Sequence, residues 1–338
     1  MSLKSSYDLS LPEQIKFSAQ LLEQGNVIGL PTETVYGLAA RIDRRDGIQR
    51  IFSTKKRPFF DPLIVHVSSI DQGRELLLSW SEVMQVLAQK FWPGPLTLVG
   101  TKKNHIDDLI TSGLSTVGVR WPRNSVAQNL LEQVGVPLAA PSANLFGQLS
   151  PTTAQSVREV FQDQVFVLDG GDCDVGIEST IVHVDEQRIS ILRPGMITKI
   201  EIENCLQAAK IQFEWSVTEK KMAPGQMKHH YMPSVPLILY SNPDMTDLEI
   251  AHKVMSEISQ LPDEIEHVRI QKPQKIEKIA YLSLSEDVVL AARQLYASLR
   301  QSALQKPDVI CFQLQSFHQK PEWSAVMDRL LKAASLKI

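Results

Sequence analysis

LPTETVYGLAA, residues 30–40, places three hydroxyl groups, one carboxylate and a glycine between two apolar flanks. The apolar run VIGL (27–30) predicts a buried strand, which ends where the following proline removes a backbone N–H donor. Thr32 or Thr34 could cap a helix that begins after this proline. The same threonines, together with Tyr36, could instead hold a small anion or an amino acid at a helix N-terminus. Taken alone, the stretch leaves both interpretations open.

The length and composition predict an ordinary soluble protein with two domains. The 338 residues exceed what one hydrophobic core usually spans. The chain is 43% hydrophobic and 22% charged, and it has no run of about 18 apolar residues that would predict a transmembrane helix. We also expect no signal peptide, because the N-terminal stretch MSLKSSYDLSLPEQ lacks an apolar core.

The cysteines and the net charge narrow the classes of function. Cys173, Cys205 and Cys311 form no CxxC pair, which fits a reducing cytoplasm and argues against a structural zinc site. The formal net charge of -3 gives no overall attraction to nucleic acid. Any RNA or phosphate site therefore has to come from a local basic patch.

Short apolar runs alternate with helical patterns over residues 1–211, which we interpret as one mixed α/β domain. Strands are predicted at 27–30, 63–67, 96–100, 116–120, 165–169, 180–184 and 189–193. Helices are predicted at 46–56, 81–91, 125–135 and 152–161. Ser81 and Thr152 stand at N-cap positions, and Gly135 stands where a helix would stop.

The rest of the chain predicts a linker and a second domain. Residues 212–236 lack periodicity and carry three prolines, as a linker does, although their HHY cluster is chemically richer than a linker needs. Strand–helix alternation over 237–338 predicts a small Rossmann-like α/β domain, with no glycine-rich phosphate loop because no glycine follows residue 225. Its strands are predicted at 237–240, 278–284 and 308–314, and its helices at 247–259, 286–300 and 322–334.

A cationic turn, Lys55, Lys56 and Arg57, ends one predicted helix. The helix dipole favours cations at this end, so a structural role would account for some of them. Two prolines then stiffen the chain before an apolar strand that carries His66. Three cations on a rigid turn favour a polyphosphate partner, because arginine offers a planar fork and lysine a point charge. His66 by itself is more typical of a hydrogen-bonded core histidine.

Polar side chains also stand near the ends of predicted strands, where open α/β sheets bind ligands. Arg120 closes one strand and either extends its head to solvent or points into a pocket. Ser142 and Asn144 lie among small residues that would let a ligand approach the backbone, although a turn would account for them as well.

Three further positions have the same character. Ser150 precedes a helix that we expect Pro151 to open, and Thr180 and Arg193 mark two adjacent strand boundaries. No Ser-His-Asp, HExxH or paired-carboxylate pattern has convincing spacing. The groups suit the holding and neutralising of charge, which is how phosphoryl and nucleotidyl transfer is usually catalysed.

Seven motifs stand in order along the chain: PTETVYGL (31–38), KKRPFFDPLIVH (55–66), PGPLT (93–97), VGVRWP (117–122), PSAN (141–144), ESTIV (178–182) and LRPG (192–195). Together they resemble those of the YrdC-like threonylcarbamoyl-AMP synthases. The resemblance covers roughly residues 12–210 and implies a mixed, twisted α/β domain with a concave basic pocket. PGQMKHHYMP (224–233) resembles the linker of the long two-domain form, whose HYxP segment folds over the active site.

The resemblance implies a reaction and its residues. L-threonine, bicarbonate and ATP would give L-threonylcarbamoyladenylate and pyrophosphate, with a magnesium ion at the leaving group. The product would pass to a separate transferase complex that modifies adenosine 37 of ANN-decoding tRNAs, and weak direct contact with tRNA could coexist. The implied threonine site comprises Thr34, His66, Arg120, Ala140 and Thr180. The implied ATP site comprises Lys55, Arg57, Asp61, Thr116, Ser142, Asn144, Ser150, Arg193 and Tyr231. The implied catalytic side chains are Lys55, Arg57 and Arg120.

Asp61 departs from the family pattern, in which we expect asparagine. A carboxylate beside a triphosphate would repel it unless a cation or Arg57 intervenes. Asp61 either contacts magnesium or points away from the phosphates.

Two other functions compete with this interpretation. Carbamoyltransferases of the hydrogenase-maturation type contain a similar domain, but they also carry zinc-binding CxxC clusters, which this sequence lacks. An RNA-binding module could use the basic concave surface. Such a module would need no threonine pocket, and its affinity would fall steeply with salt.

Overall fold

The computed structural model describes residues 9–162, 164–217, 223–225, 227–265, 268–269 and 272–338. The chain divides into two compact units, each built from two segments. The first contains Met1–Leu145 and Pro151–Gln226, and the second contains Phe146–Ser150 and Met227–Ile338. Residues 212–226 of the predicted linker therefore group with the first unit, and residues 227–236 group with the second.

The first unit is built on one sheet with ten strands among its described residues. They are β1 (Ile28–Leu30), β2 (Gly37–Arg41), β3 (Ile64–His66), β4 (Leu96–Thr101), β5 (Thr116–Arg120), β6 (Leu138–Ala139), β7 (Phe166–Val167), β8 (Thr180–Asp185), β9 (Arg188–Arg193) and β10 (Glu214–Trp215). The strand order is β10-β9-β8-β4-β5-β3-β6-β2-β1-β7. β3 and β5 are parallel, as are β4 and β8, whereas β4 and β5 are antiparallel, so the predicted mixed sheet is confirmed.

Helices cover both faces of this sheet. They are α1 (Leu11–Glu23), α2 (Arg45–Lys55), α3 (Ile70–Arg74), α4 (Glu82–Phe91), α5 (Asp108–Thr111), α6 (Ser125–Val134), α7 (Ala154–Phe161) and α8 (Lys199–Ala208). Successive strand residues point to opposite faces. Leu38 and Ala40 accordingly pack in one core with Ile51 of α2 and Leu87 of α4. Ala39, between them, packs in a second core with residues of α1 and α6.

The predicted helix ends are partly right. Ser81 caps α4 through the N–H of Met84, and Gly135 ends α6 in the left-handed region at φ 68°, as predicted. The prediction of Thr152 as an N-cap is wrong, because Thr153 caps α7 instead. Because α7 begins only at Ala154, Pro151 does not open it, and Ser150 lies outside its cap.

No helix follows Pro31, so the prediction of a threonine N-cap there is wrong, and so is that of an anion site at a helix N-terminus. β1 instead returns as the antiparallel strand β2, with Leu30 opposite Gly37. The hydroxyl of Thr32 donates to the carbonyl of Val35 at 2.6 Å and so holds the connecting loop. A threonine hydroxyl satisfies a loop backbone as readily as a helix end, and here pairing of the strands decides between the two.

The second unit is a small α/β domain, as predicted. Its parallel strands are β11 (Leu237–Tyr240), β14 (Ile279–Tyr281), β15 (Val309–Gln313) and β16 (Leu336–Lys337), in the order β14-β15-β11-β16. A short antiparallel pair adds β12 (Glu264–Ile265) and β13 (Val268–Arg269). The helices are α9 (Asp247–Ile258), α10 (Val288–Leu304) and α11 (Ser324–Ala333), with 3-10 turns at Ser316–Gln319 and Pro321–Trp323.

Across the described residues, no helix combines the length and the apolar character that crossing a lipid bilayer would require.

Candidate active site

Arg120 is the centre of a buried polar cluster in the first unit. It ends β5 directly opposite His66, which ends the neighbouring strand β3. Its Nη1 donates to Thr34 Oγ1 at 2.8 Å, and its Nε donates to the carbonyl of Gly94 at 3.2 Å. Its Nη2 lies 2.8 Å from Glu33 Oε1. The sheet therefore brings together three of the residues predicted for the threonine site.

The hydrogen bonds around Thr34 fix the direction in which its hydroxyl points. Thr32 donates its only hydroxyl proton to the carbonyl of Val35, and its oxygen lies 2.9 Å from Thr34 Oγ1. Thr34 is then the donor in that contact, because each hydroxyl has a single proton. Its oxygen accepts from Arg120 and keeps one lone pair for a further donor. Thr34 is thus built to accept a hydrogen bond from a ligand amine or hydroxyl.

His66 is a neutral group in this cluster. Burial, and secondarily the positive charge of Arg120, lowers the pKa of its imidazole to about 3. Its Nδ1 is buried and makes no hydrogen bond within the described part of the chain. Buried polar atoms normally have a partner, so this nitrogen is a natural contact for a ligand or a water molecule.

Thr180 begins β8, and Ala140 comes directly after β6. The backbone N–H of Thr180 donates to the carbonyl of Pro95, next to the Gly94 carbonyl that binds Arg120. The hydroxyl of Thr180 is occupied by the backbone of Ile197, to which it donates at 2.8 Å. Ala140 follows β6 and donates its N–H to the carbonyl of Ile64 in β3. Both residues border the cluster, but neither brings a side-chain donor to it.

Lys55 anchors the PSAN segment. Its ammonium is buried at the end of α2 and donates to the backbone carbonyls of Ser142 and Asn144. Burial, and secondarily the charge of Arg57, holds the pKa of Lys55 well below its usual value. The hydroxyl of Ser142 donates to the side-chain oxygen of Asn144, so the predicted nucleotide residues of this segment form one connected group.

Arg57 and Asp61 form a buried ion pair. The guanidinium and carboxylate approach to 2.7 Å, with side chains only 3% and 6% exposed. Arg57 also donates to the carbonyls of Asp61 and Pro62. From the sequence we expect the Asp61 carboxylate to need either a cation or Arg57 beside it, and in the structure its partner is Arg57.

Thr116 lines a narrow cleft together with Thr97, Ile181, Ala223 and Pro224 among others, and Arg193 lies beside it. Arg193 donates to the carbonyl and the hydroxyl of Ser179 and to the carbonyl of Pro224. The hydroxyl of Thr116 is buried and makes no hydrogen bond to any residue that the structure describes. The strands at this cleft therefore present one guanidinium and one available hydroxyl.

The two remaining predicted residues, Ser150 and Tyr231, belong to the second unit. Both are buried there. Tyr231 has a left-handed backbone at φ 62°, and its ring packs 5.7 Å from the ring of Tyr296. The guanidinium of Arg329 lies 5.5 Å from the centre of the Tyr231 ring.

Two groups of this cluster have no role predicted from the sequence. One is the carboxylate of Glu33, although a carboxylate between buried segments indicates an ion pair. Gly94 contributes only its backbone carbonyl, which no side-chain pattern reveals. In the described residues, no three His, Cys, Asp or Glu side chains converge as a metal site.

Comparison with known proteins places the chain in a family. A family model described as Telomere recombination matches residues 20–195, and one described as Threonylcarbamoyl-AMP synthase, C-terminal domain, matches residues 197–335. A curated threonylcarbamoyl-AMP synthase of Pyrococcus abyssi is 35% identical over 329 residues, which cover 96% of this chain and 95% of that protein. Its counterpart from Bacillus subtilis is 32% identical over 345 residues, with coverage of 96% and 94%.

A solved structure agrees with both models. The crystal structure of P. abyssi Sua5 complexed with L-threonine has a TM-score of 0.79 and 33% sequence identity to this chain. It covers 98% of this chain and 97% of its own. The resemblance inferred from the seven motifs is confirmed, and the chain belongs to the threonylcarbamoyl-AMP synthase family in its two-domain form.

Proposed function

We propose that this chain is a nucleotidyltransferase that converts L-threonine, bicarbonate and ATP into L-threonylcarbamoyladenylate and pyrophosphate. The observation that carries the proposal is the buried cluster of Arg120, Thr34 and neutral His66 at adjacent strand ends. It offers an anion-binding guanidinium, an acceptor hydroxyl and an uncharged imidazole at one place, which suits a zwitterionic amino acid with a hydroxyl group.

The amino acid would bind through complementary charges. Arg120 donates from Nε and Nη1 within the protein, and its Nη2 lies in ion-pair contact with Glu33. Its remaining N–H groups can bind the substrate carboxylate. Thr34 would accept a hydrogen bond from the amine or the side-chain hydroxyl of the substrate. Ala140 and Thr180 would border this site and limit the size of the side chain it admits.

The chemistry would proceed in two steps. The neutral amine of threonine attacks bicarbonate, a C–N bond forms, and water leaves, which gives a carbamate. A carbamate oxygen then attacks the α-phosphorus of ATP in line, and the bond to pyrophosphate breaks. A neutral His66 fits this sequence, because an uncharged imidazole can accept a hydrogen bond from the substrate amine, whereas an imidazolium would repel the amine while it is protonated.

ATP would bind through Lys55, Arg57, Thr116, Ser142, Asn144, Ser150, Arg193 and Tyr231, while Asp61, which the resemblance also assigns to this site, would act through its ion pair with Arg57. The carboxylate of Asp61 already offsets the charge of Arg57, so this pair alone neutralises little of a triphosphate. Magnesium would therefore enter with ATP as part of the substrate and neutralise the charge that develops on pyrophosphate.

The product would serve tRNA modification. A mixed anhydride of a carbamate and AMP is an activated acyl donor, and its consumer must be a transferase with a nucleophilic amine. We infer that this consumer is the tRNA threonylcarbamoyl-transferase complex, acting in the cytoplasm on adenosine 37 of tRNAs that read ANN codons.

The proposal is tested by product analysis with isotopically labelled bicarbonate. The protein is incubated with ATP, magnesium, L-threonine and ¹³C-bicarbonate, and the nucleotide product is examined by mass spectrometry. We expect an adenylate that carries both the threonine mass and the ¹³C label. An AMP product without label or amino acid would contradict the proposal.

A further inference from the structure

Glu33 is a buried carboxylate at the edge of the candidate site. Only 4% of the residue is exposed. One carboxylate oxygen lies 2.8 Å from Nη2 of Arg120, and the other accepts the backbone N–H of Arg123 at 3.0 Å. The Glu33 carbonyl accepts the N–H of Val175 at 2.8 Å. The side chain is thus held between Arg120 and the backbone of Arg123, and its own backbone is fixed by Val175.

Arg120 depends on Glu33 for its charge balance. Its other two contacts, the carbonyl of Gly94 and the hydroxyl of Thr34, are neutral acceptors. A guanidinium that is only 4% exposed is costly to bury without a counter-ion. Among the contacts described for Arg120, Glu33 is the carboxylate that supplies it.

Glu33 also sets the orientation of the guanidinium. The Nε, Nη1 and Nη2 atoms each have a partner on a different segment, which leaves the plane of the guanidinium little freedom to rotate. Nη1 keeps a second N–H for a ligand, and Nη2 makes no hydrogen bond to any residue that the structure describes. The direction of the donors left for a ligand is therefore determined partly by where Glu33 lies.

We propose that Glu33 is a positioning residue that aims Arg120 at the carboxylate of the amino-acid substrate without touching the substrate itself. This inference rests on the proposed function, since it concerns the amino-acid half of that reaction. A misplacement of about 1 Å at a reacting group can lower the rate by about a hundredfold, so an indirect residue can matter as much as a direct one.

The test is a set of steady-state measurements on the full chain. Glu33→Gln keeps the size of the side chain and an acceptor for the Arg123 N–H, but it loses the charge that faces Arg120. We expect kcat/KM for L-threonine to fall by about tenfold to a hundredfold, while KM for ATP changes less than about twofold. Glu33→Asp keeps the charge with a shorter reach and should recover part of the loss.

A double variant shows whether Glu33 acts through Arg120. If it does, adding Glu33→Gln to Arg120→Gln lowers kcat/KM for threonine no further, because the group being aimed is already gone. The matched control is Asp174→Asn, which removes an exposed carboxylate that pairs with the side chain of Arg123. This control should have the same kcat/KM for L-threonine and the same KM for ATP as the unmodified chain.

The outcomes separate the possible failures. An unmodified chain that shows no threonine-dependent pyrophosphate release overturns the proposed function. If the unmodified chain is active and Glu33→Gln keeps its kcat/KM for threonine, only the positioning role is overturned. The same holds if Glu33→Gln lowers kcat/KM equally for threonine and for ATP. If Glu33→Gln does not fold, the test uses the double variant, in which both charges are removed. A kcat/KM for threonine lower than that of Arg120→Gln alone would then contradict the proposal.

Discussion

Replacing Asp61 by asparagine removes one negative charge from a buried pair while keeping the shape of the side chain. In the structure the Asp61 carboxylate lies 2.7 Å from the Arg57 guanidinium, and both side chains are almost fully buried. Asparagine can still accept a hydrogen bond from Arg57 through its side-chain oxygen. The substitution therefore isolates the charge of Asp61 from its packing.

The size of the effect follows from this geometry. Removing one partner of a buried ion pair costs about 3–5 kcal/mol, and a retained hydrogen bond to a charged donor returns about 1.5–3 kcal/mol. We expect a loss of about 2 kcal/mol in the free energy of unfolding without ATP. A domain of 150–250 residues then melts roughly 4–8 °C lower.

ATP should reverse the loss. With the carboxylate gone, the charge of Arg57 is available to the triphosphate, which becomes its counter-ion. The dissociation constant for ATP should stay the same or decrease, and ATP should raise the melting temperature of Asp61→Asn more than that of the unmodified chain.

The assay combines calorimetry with thermal melts at several ATP concentrations. The matched control is Asp43→Asn, which breaks an exposed pair with Arg41 in the same unit and should change neither property measurably. A large rise in the dissociation constant for ATP in Asp61→Asn would refute the reasoning. It would mean that Asp61 binds the nucleotide or its metal directly.

Two further predictions concern other parts of the chain. His66 has its pKa lowered from 6.5 to about 3, so the unfolded chain takes up a proton first and stability is lost as the pH falls from about 6.5 toward 3. Between pH 7 and 5 this lowers the free energy of unfolding by about 2 kcal/mol. The melting temperature of His66→Phe should therefore fall less over this pH range than that of the unmodified chain. An equal fall in both proteins would contradict the prediction. A chain ending after residue 236 keeps Tyr231 but loses Tyr296 and Arg329, against which its ring packs, so its turnover should fall as far as that of a chain ending after residue 212. Higher turnover of the longer truncation would show that Tyr231 works without the second unit.

Periodic elements were predictable from the sequence because their signal is local. All strands and helices predicted for residues 1–211 are present, with shifted ends. Helix α1 was missed although it carries a signal, a capping box of Ser10 and Glu13 and buried side chains at Ile15, Ser18 and Leu22. Strands such as β6 and β10 are two residues long, which is too short for any period to show.

The contacts of the site were less predictable because they join distant segments. Glu33 meets Arg120 across 87 residues, and Lys55 meets Asn144 across 89. The sequence singles out these residues one by one. Their partners depend on the order of the strands in the sheet, which the sequence does not predict. Arg57 and Asp61 are four residues apart, and this pair was within reach of sequence reasoning.

In the proposed reaction, one site joins threonine, bicarbonate and ATP. The test is pyrophosphate release by the purified chain, measured with ATP and magnesium while threonine, serine, valine or no amino acid is supplied, each with and without bicarbonate. We expect fast release only when L-threonine and bicarbonate are both present. Release at the same rate without either of them, or no release under any condition, would contradict it.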